Sequence, residues 1–219
     1  MKTGILVAME QEYSALKGSG LPDSAGLCCS RSGIGKVNAA CAAEKMILSE
    51  HPDIIINSGL AGGMVSGMHT GDLVIAARTA YHDVWCGEGN RPGQVQGMPV
   101  FFEADSSLEA TAEKVSESLG IKTWRGLVTT GDQFFISLEE DARIRAMYPE
   151  VLACDMESAA IAQVCHLHGI PFLSFRIISD VHTSVEVQKA DYSTFLRQFT
   201  SESFTFLKTF IEALETVLK

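Results

Sequence analysis

The chain is short of basic residues. Lys and Arg total 17 against 27 Asp and Glu, for a formal net charge of −10. Nucleic acids and anionic membranes reward basic patches, so neither is an expected partner. Long apolar runs are also missing. The run from Gly4 to Met9 is cut off by Glu10 and Glu12, too early for a signal peptide. No stretch approaches the length of a membrane span. None of the six cysteines forms a C-x-x-C pair, and several lie in apolar surroundings. Buried thiols in a reducing cytosol are the expected state, which makes the expected location cytoplasmic. There is no internal repeat and no linker rich in Pro, Gly or Ser, so the 219 residues read as a single domain.

Several catalytic signatures are absent too. The segment Ser58–Gly63 (S-G-L-A-G-G) is not followed by Gly-Lys-Ser/Thr, so it is not a P-loop, and it is not a G-x-G-x-x-G fingerprint either. G-x-S-x-G does not occur. No His/Cys/Asp spacing resembles a zinc site, and no metal is expected.

What is present is an α/β pattern. Hydrophobic residues make up 46% of the chain against 20% charged, enough for a substantial core. Apolar runs at Thr3–Ala8, Asp53–Asn57, Leu73–Ala77, Thr123–Thr129, Val151–Ala153 and Phe172–Ile178 read as strands. Helix-compatible stretches alternate with them at Glu10–Lys17, Lys36–Ser49, Ser106–Leu119, Leu138–Tyr148 and Ser158–His168. One long helix is expected from about Asp191 to the C-terminus, with Phe195, Phe199, Phe206, Phe210 and Leu214 recurring along it. Ser58–Gly63 reads as a glycine-rich loop, and residues 81–99 as a long one. The expected fold is a three-layer α/β/α domain with a central mixed sheet. Residues 151–180 (strand, helix, strand) read as a βαβ unit with parallel strands.

The strand ends carry unusual residues. Glu10 and Glu12 follow the first, Ser58–Gly63 the second, Gly131 and Asp132 the fourth, Asp155 and Glu157 the fifth, Asp180 the last. In open α/β sheets ligands bind beyond the carboxyl ends of strands. Each residue also has a plainer reading. Carboxylates in a first helical turn answer the helix dipole, and Asp155 or Glu157 would serve as a cap. Ser179-Asp180 suits a turn. Phe134 and Phe135 suit the core, or a platform for a flat heteroaromatic ring. Arg176, inside an apolar run, either faces solvent on an edge strand or is buried with an anionic partner.

Together these residues resemble the methylthioadenosine/S-adenosylhomocysteine nucleosidases of the nucleoside phosphorylase superfamily. The markers are Gly4–Glu12 (G-I-L-V-A-M-E-Q-E), Gly33–Ala40 (G-I-G-K-V-N-A-A), Gly59–Gly63 (G-L-A-G-G) and Tyr81-His82-Asp83. Gly131-Asp132, Asp155-Met156-Glu157 and Arg176–Asp180 (R-I-I-S-D) complete the set. The resemblance implies hydrolysis of the N-glycosidic bond of a 5′-modified adenine nucleoside, without a cofactor. It implies Glu12 as the base that activates water, Glu157 on the ribose hydroxyls and Asp180 as the proton donor to adenine N7, oriented by Ser179. It further implies Met9 and Met156 beside the sugar, Arg176 behind the water, Phe134 stacked on adenine and the Phe135 backbone at its edge. Ala61, Gly62, Asp155 and Tyr192 are expected to line the same pocket. Leu60, Asp155, Tyr192 and residues 84–98 differ from the usual family pattern, and these differences gather around the 5′ group. A futalosine-type nucleoside hydrolase and a phosphate-dependent phosphorylase are therefore alternatives, although the acidic chain favours water over phosphate. The resemblance also implies a homodimer, with Trp85 or nearby residues helping to close the neighbouring pocket.

Overall fold

A mixed eight-stranded sheet runs through the computed structural model, which describes residues 1–134, 136–181 and 185–217. The strands are β1 (Thr3–Val7), β2 (Leu27–Arg31), β3 (Ile54–Gly63), β4 (Leu73–Tyr81), β5 (Phe102–Glu103), β6 (Thr123–Thr130), β7 (Val151–Asp155) and β8 (Phe172–Val181). The helices are α1 (Glu10–Gly18), α2 (Lys36–Glu50), α3 (Ser106–Leu119), α4 (Leu138–Met147), α5 (Ser158–His168), α6 (Val185–Gln198) and α7 (Thr205–Val217). The mixed α/β architecture is the expected one. The reading of residues 81–99 as a loop also holds, since no strand or helix occurs between β4 and β5.

Helices cover both faces of the sheet. On one, Ile5, Ile54, Ile75 and Phe175 pack with Leu16 of α1, Leu108 of α3 and Phe206, Phe210 and Leu214 of α7. On the other, Leu6, Ile55 and Phe172 meet Ala39 and Met46 of α2 and Ile161 and Cys165 of α5. Small residues along α5 (Ala159, Ala160, Ala162) are buried and bring this helix close to the strands.

Three expectations need correction. First, β7 and β8 do not form a parallel βαβ pair. β3 lies between them, parallel to β8 and antiparallel to β7. A register shift at Ala61/Gly62 marks where β3 changes partners, in the manner of a bulge that bends a strand. β8 also pairs with β4, so β3, β7, β6, β4 and β8 close into a ring. Second, Ser58–Gly63 is not a loop. Its residues continue β3 and pair with β8, Gly59 opposite Arg176 and Ala61 opposite Ile178. Glycine lowers strand propensity, but here it admits close neighbours. Third, the C-terminal helix is two helices. α6 starts at Val185, and a 3₁₀ turn, Ser201–Phe204, separates it from α7. The Ser203 hydroxyl accepts the Thr200 amide in the break. Phe204 and the α7 stripe enter the core, whereas α6 packs along β8.

Phe210 is fully buried, with ring centroids 4.9 Å from Phe175 and 6.5 Å from Phe206. Phe210→Ala should lower the unfolding free energy by about 3–5 kcal/mol in urea denaturation. A loss below about 1 kcal/mol would mean that α7 is not a part of the cooperative core.

Candidate active site

The first carboxylate is set by a helix start. β1 delivers Met9 as the N-cap of α1, which makes Glu12 the third helical residue. Its side chain folds back, and Oε2 accepts the amides of Met9 (2.8 Å) and Ala8 (2.9 Å). The expected place in the first helical turn is therefore correct but incomplete as an account of Glu12, because Oε1 reaches across to accept the Leu60 amide of β3 at 2.9 Å. Burial pushes the Glu12 pKa up; the three amides and Arg176 oppose this in part. Glu10, by contrast, is exposed and pairs with Arg31 at 2.8 Å.

The second group lies at the end of β7. Asp155 receives Thr130 Oγ1 on Oδ1 at 2.5 Å and Arg176 Nε on Oδ2 at 2.7 Å, with Ser158 Oγ also on Oδ2. Both oxygens are thus held by protein donors. Arg176 is completely buried, which removes the edge-strand reading. Its Nη2 donates to Asn57 and Ser158. Its Nη1 is buried without a hydrogen-bond partner among the described residues. A Cβ on Gly59 would stand 2.5 Å from that Nη1 and 2.8 Å from Glu12 Oε1, so both atoms converge where only glycine fits.

Glu157 follows, also buried, and Oε1 accepts the Gly35 amide at 2.9 Å. Burial pushes its pKa up to about 7; Arg176 pulls against this and Asp155 adds to it. At the end of β8, Asp180 Oδ1 accepts Ser179 Oγ at 2.6 Å, and that hydroxyl also lies 3.3 Å from the Ala61 carbonyl. Burial raises Asp180 to about 6; the Ser179 hydroxyl opposes this and Asp191 of α6 reinforces it.

These side chains share one cleft with about 570 Å³ of empty space, part of it open to solvent. Met9, Glu12, Ala61, Gly62, Phe134, Asp155, Met156, Glu157, Ser179, Asp180 and Tyr192 all line it. Arg176 stands behind the wall, and Phe135 lies outside the described residues. Tyr192 donates to Met9 Sδ at 3.3 Å and meets the Phe134 ring edge-on, centroids 5.0 Å apart. Phe134 is 48% exposed, so it is a cleft wall and not a core residue. Ile34, from the marker segment Gly33–Ala40, also lines the cleft, as do Gln133, Ile136 and Cys154, which no local pattern marks. Asn57 and Ser174 were detectable, as polar residues inside apolar strands. Among the described residues no group of three His, Cys, Asp or Glu is arranged to hold a metal ion.

A mixed sheet closed on itself by β8, with a carboxylate-lined cleft at its strand ends, defines the class. The family model of the phosphorylase superfamily matches residues 23–212. A curated 5′-methylthioadenosine/S-adenosylhomocysteine nucleosidase from Actinobacillus succinogenes is 39% identical over 197 residues, 82% of this chain and 86% of that protein. The crystal structure of the nucleosidase of that name from Neisseria meningitidis, in complex with methylthio-immucillin-A, has a TM-score of 0.89 at 35% identity. It covers 97% of this chain and 99% of that one. The native structure of a Helicobacter pylori futalosine hydrolase has a TM-score of 0.87 at 27% identity, with 97% of each chain covered. The chain belongs to the 5′-methylthioadenosine/S-adenosylhomocysteine nucleosidase family of the phosphorylase superfamily.

Two outcomes follow from this geometry. Gly59→Ala should abolish turnover and lower the melting temperature, because the new methyl group would displace Arg176 or Glu12. A fully active variant would show that the two charges need not converge there. The second concerns pH. Glu157 rises from 4.5 to about 7 and Asp180 from 3.8 to about 6 on folding. The native state therefore binds more protons than the unfolded state between about pH 4 and pH 7, and these groups lower stability as pH rises through that window. Glu157→Gln should melt higher relative to wild type at pH 8 than at pH 5. A difference independent of pH would contradict the raised value.

Proposed function

We propose that this chain hydrolyses the N-glycosidic bond of 5′-methylthioadenosine and S-adenosylhomocysteine, releasing adenine and the thioribose sugar. The convergence of Glu12, Glu157 and Asp180 on one cleft carries this reading. Breaking the bond builds positive charge on the ribosyl carbon, which surrounding carboxylates stabilise. Adenine leaves poorly as an anion. Asp180, raised to about 6, can hold a proton and donate it to N7 as the C1′–N9 electron pair moves into the ring. Glu12, whose anionic form three amides and Arg176 favour against the upward push of burial, takes the proton from the water whose oxygen attacks C1′. Glu157 grips the ribose hydroxyls, and Asp155 acts through Arg176. Met9, Met156 and Tyr192 flank the sugar and its 5′ group. Phe134 stacks on the base, and the Phe135 backbone meets its edge. Acid and base on opposite sides of the bond follow the logic of inverting glycosidases.

Water is favoured over phosphate as nucleophile. Among the described residues no Lys or Arg lines the cleft. The adjacent guanidinium of Arg176 is held through Nε and Nη2 by Asp155, Asn57 and Ser158, which leaves Nη1 as its one unpartnered nitrogen among the described residues, short of a cluster of basic groups. A phosphate site would need free basic donors. A futalosine-type substrate would differ at the 5′ group, and a substrate panel separates the two hydrolases.

The chain acts as one domain, in methionine salvage. Val37 and Leu48 of α2 and Leu167 of α5 are exposed on neighbouring helices and favour a homodimer. No helix among the described residues is long and apolar enough to cross a membrane, and a cytoplasmic location is consistent with six free cysteines.

Asp180→Asn should cut turnover of methylthioadenosine by about 10²–10⁴-fold while the protein stays folded. In wild type, kcat/KM should fall as pH rises past about 6, where free Asp180 loses its proton. Base release in phosphate-free buffer should proceed at full rate. Strict dependence on phosphate would replace the hydrolase with a phosphorylase, and preferred turnover of aminodeoxyfutalosine would replace the substrate.

A further inference from the structure

Glu157 Oε1 is held by the backbone N–H of Gly35, the N-cap residue of α2. A glycine cap has no side chain with which to accept the helix's first amides. The acceptor comes instead from a loop nearly a hundred residues away. Asp132 Oδ1, in the turn after β6, takes the Lys36 amide at 2.9 Å. The Asp132 amide in turn donates to Asp83 Oδ2 at 2.9 Å, beyond the end of β4. Lys36 closes the circuit, its Nζ lying 2.6 Å from Asp83 Oδ2 and 3.8 Å from Asp132 Oδ2.

Gly35 cannot be exchanged for a residue that caps locally. Its φ is 92°, and a Cβ there would come within 3.1 Å of Asp132 Oδ1. The remote cap and the bare backbone therefore depend on each other. The ion group is also partly shielded, with side-chain exposures of 22% for Lys36 and 25% for Asp83, so salt screens it less than a surface pair. Without the Lys36 ammonium, two carboxylates would face each other across the Asp132 amide.

We propose that Asp132, Lys36 and Asp83 are positioning residues for Glu157: Asp132 caps α2 from a distance, and the ion group holds that cap so that the Gly35 N–H stays aimed at the Glu157 carboxylate. The order of transmission is Asp83 to Asp132, Asp132 to the first amide of α2, and Gly35 to Glu157. None of the three lines the cleft itself. The positive end of the α2 dipole, delivered through one amide, then favours the anionic form of Glu157. The route from the ion group to the reaction that this geometry builds runs through that carboxylate.

The proposal deepens the nucleosidase reading, and its kinetic arm rests on it. Asp132→Ala removes the acceptor. It should lower kcat/KM for methylthioadenosine by at least about tenfold, the scale of one hydrogen bond to a charged group. The inhibition constant of free adenine, which makes no use of Glu157, should stay within about twofold. Asp132→Asn keeps an Oδ1 acceptor and should recover most of the loss. In a Glu157→Gln background, Asp132→Ala should cost less than about twofold more. Fully additive losses would overturn the proposal, as would adenine binding that weakens in step or an Asn variant as impaired as the Ala variant.

A second arm needs no turnover. The groups facing Glu157 are Arg176, Asp155, Glu12 and the Gly35 amide. Only the amide should move in Asp132→Ala. Losing a hydrogen bond to the ionised form raises a carboxyl pKa. The ¹³C carboxyl resonance of Glu157 should therefore titrate at least about half a pH unit higher in folded Asp132→Ala than in wild type. An unchanged titration would end the proposal. If wild type proves inactive on every nucleoside, the functional reading falls and the titration still decides this point. If Asp132→Ala does not fold, Lys36→Met gives the same readouts, with the same outcomes deciding.

Discussion

The buried ion pair of Arg176 with Asp155 organises the rest of the site. A guanidinium with no exposure, on a strand inside the sheet, is costly to desolvate unless every neighbour answers it. Asp155 supplies the charge, while Asn57 and Ser158 supply oxygen acceptors from β3 and α5. Three elements must therefore sit in register around one side chain. Gly59, opposite Arg176 on β3, is glycine because Arg176 and Glu12 occupy the space a methyl group would need. The arrangement leaves Nη1, without a partner among the described residues, facing the space at Gly59 that Glu12 Oε1 also faces.

Three acidic residues around one cleft meet three different environments. Glu12 is deeply buried but receives three backbone amides and faces a cation. Glu157 receives one amide and lies between a cation and other carboxylates. Among the described residues Asp180 has only a serine hydroxyl, with another acid nearby. Burial pushes all three up, and the donors each one receives oppose it in part. Such graded surroundings allow a base and an acid of the same chemical type to work in one site at one pH.

The site also ties together parts of the sheet that run in opposite senses. Because β3 turns at Ala61/Gly62 and β8 closes the ring, the ends of β7 and β8 reach the same cleft although the strands are not parallel. α6 then completes the wall. Gln188 donates to the Ile136 carbonyl, and one turn on, Tyr192 packs edge-on against Phe134. The wall built by Gln133, Phe134 and Ile136 is thus gripped by α6.

The period of the apolar residues determined most helices and strands, because local burial and period leave little choice between them. Ser158–His168 was readable to the residue, and the acidic strand ends pointed to the site. What failed had non-local causes. Ser58–Gly63 has the composition of a loop, yet pairing with β8 and the space taken by Arg176 make it a strand. Nothing in the periodicity of residues 185–217 marks the break at Ser201–Phe204, which arises because α6 and α7 serve different surfaces. The sequence by itself determined which side chains were available for chemistry: three acids, one buried cation and an aromatic wall. Only the tertiary structure decided how far each acid is lifted and which amide it receives, since a pKa depends on neighbours that lie far away along the chain.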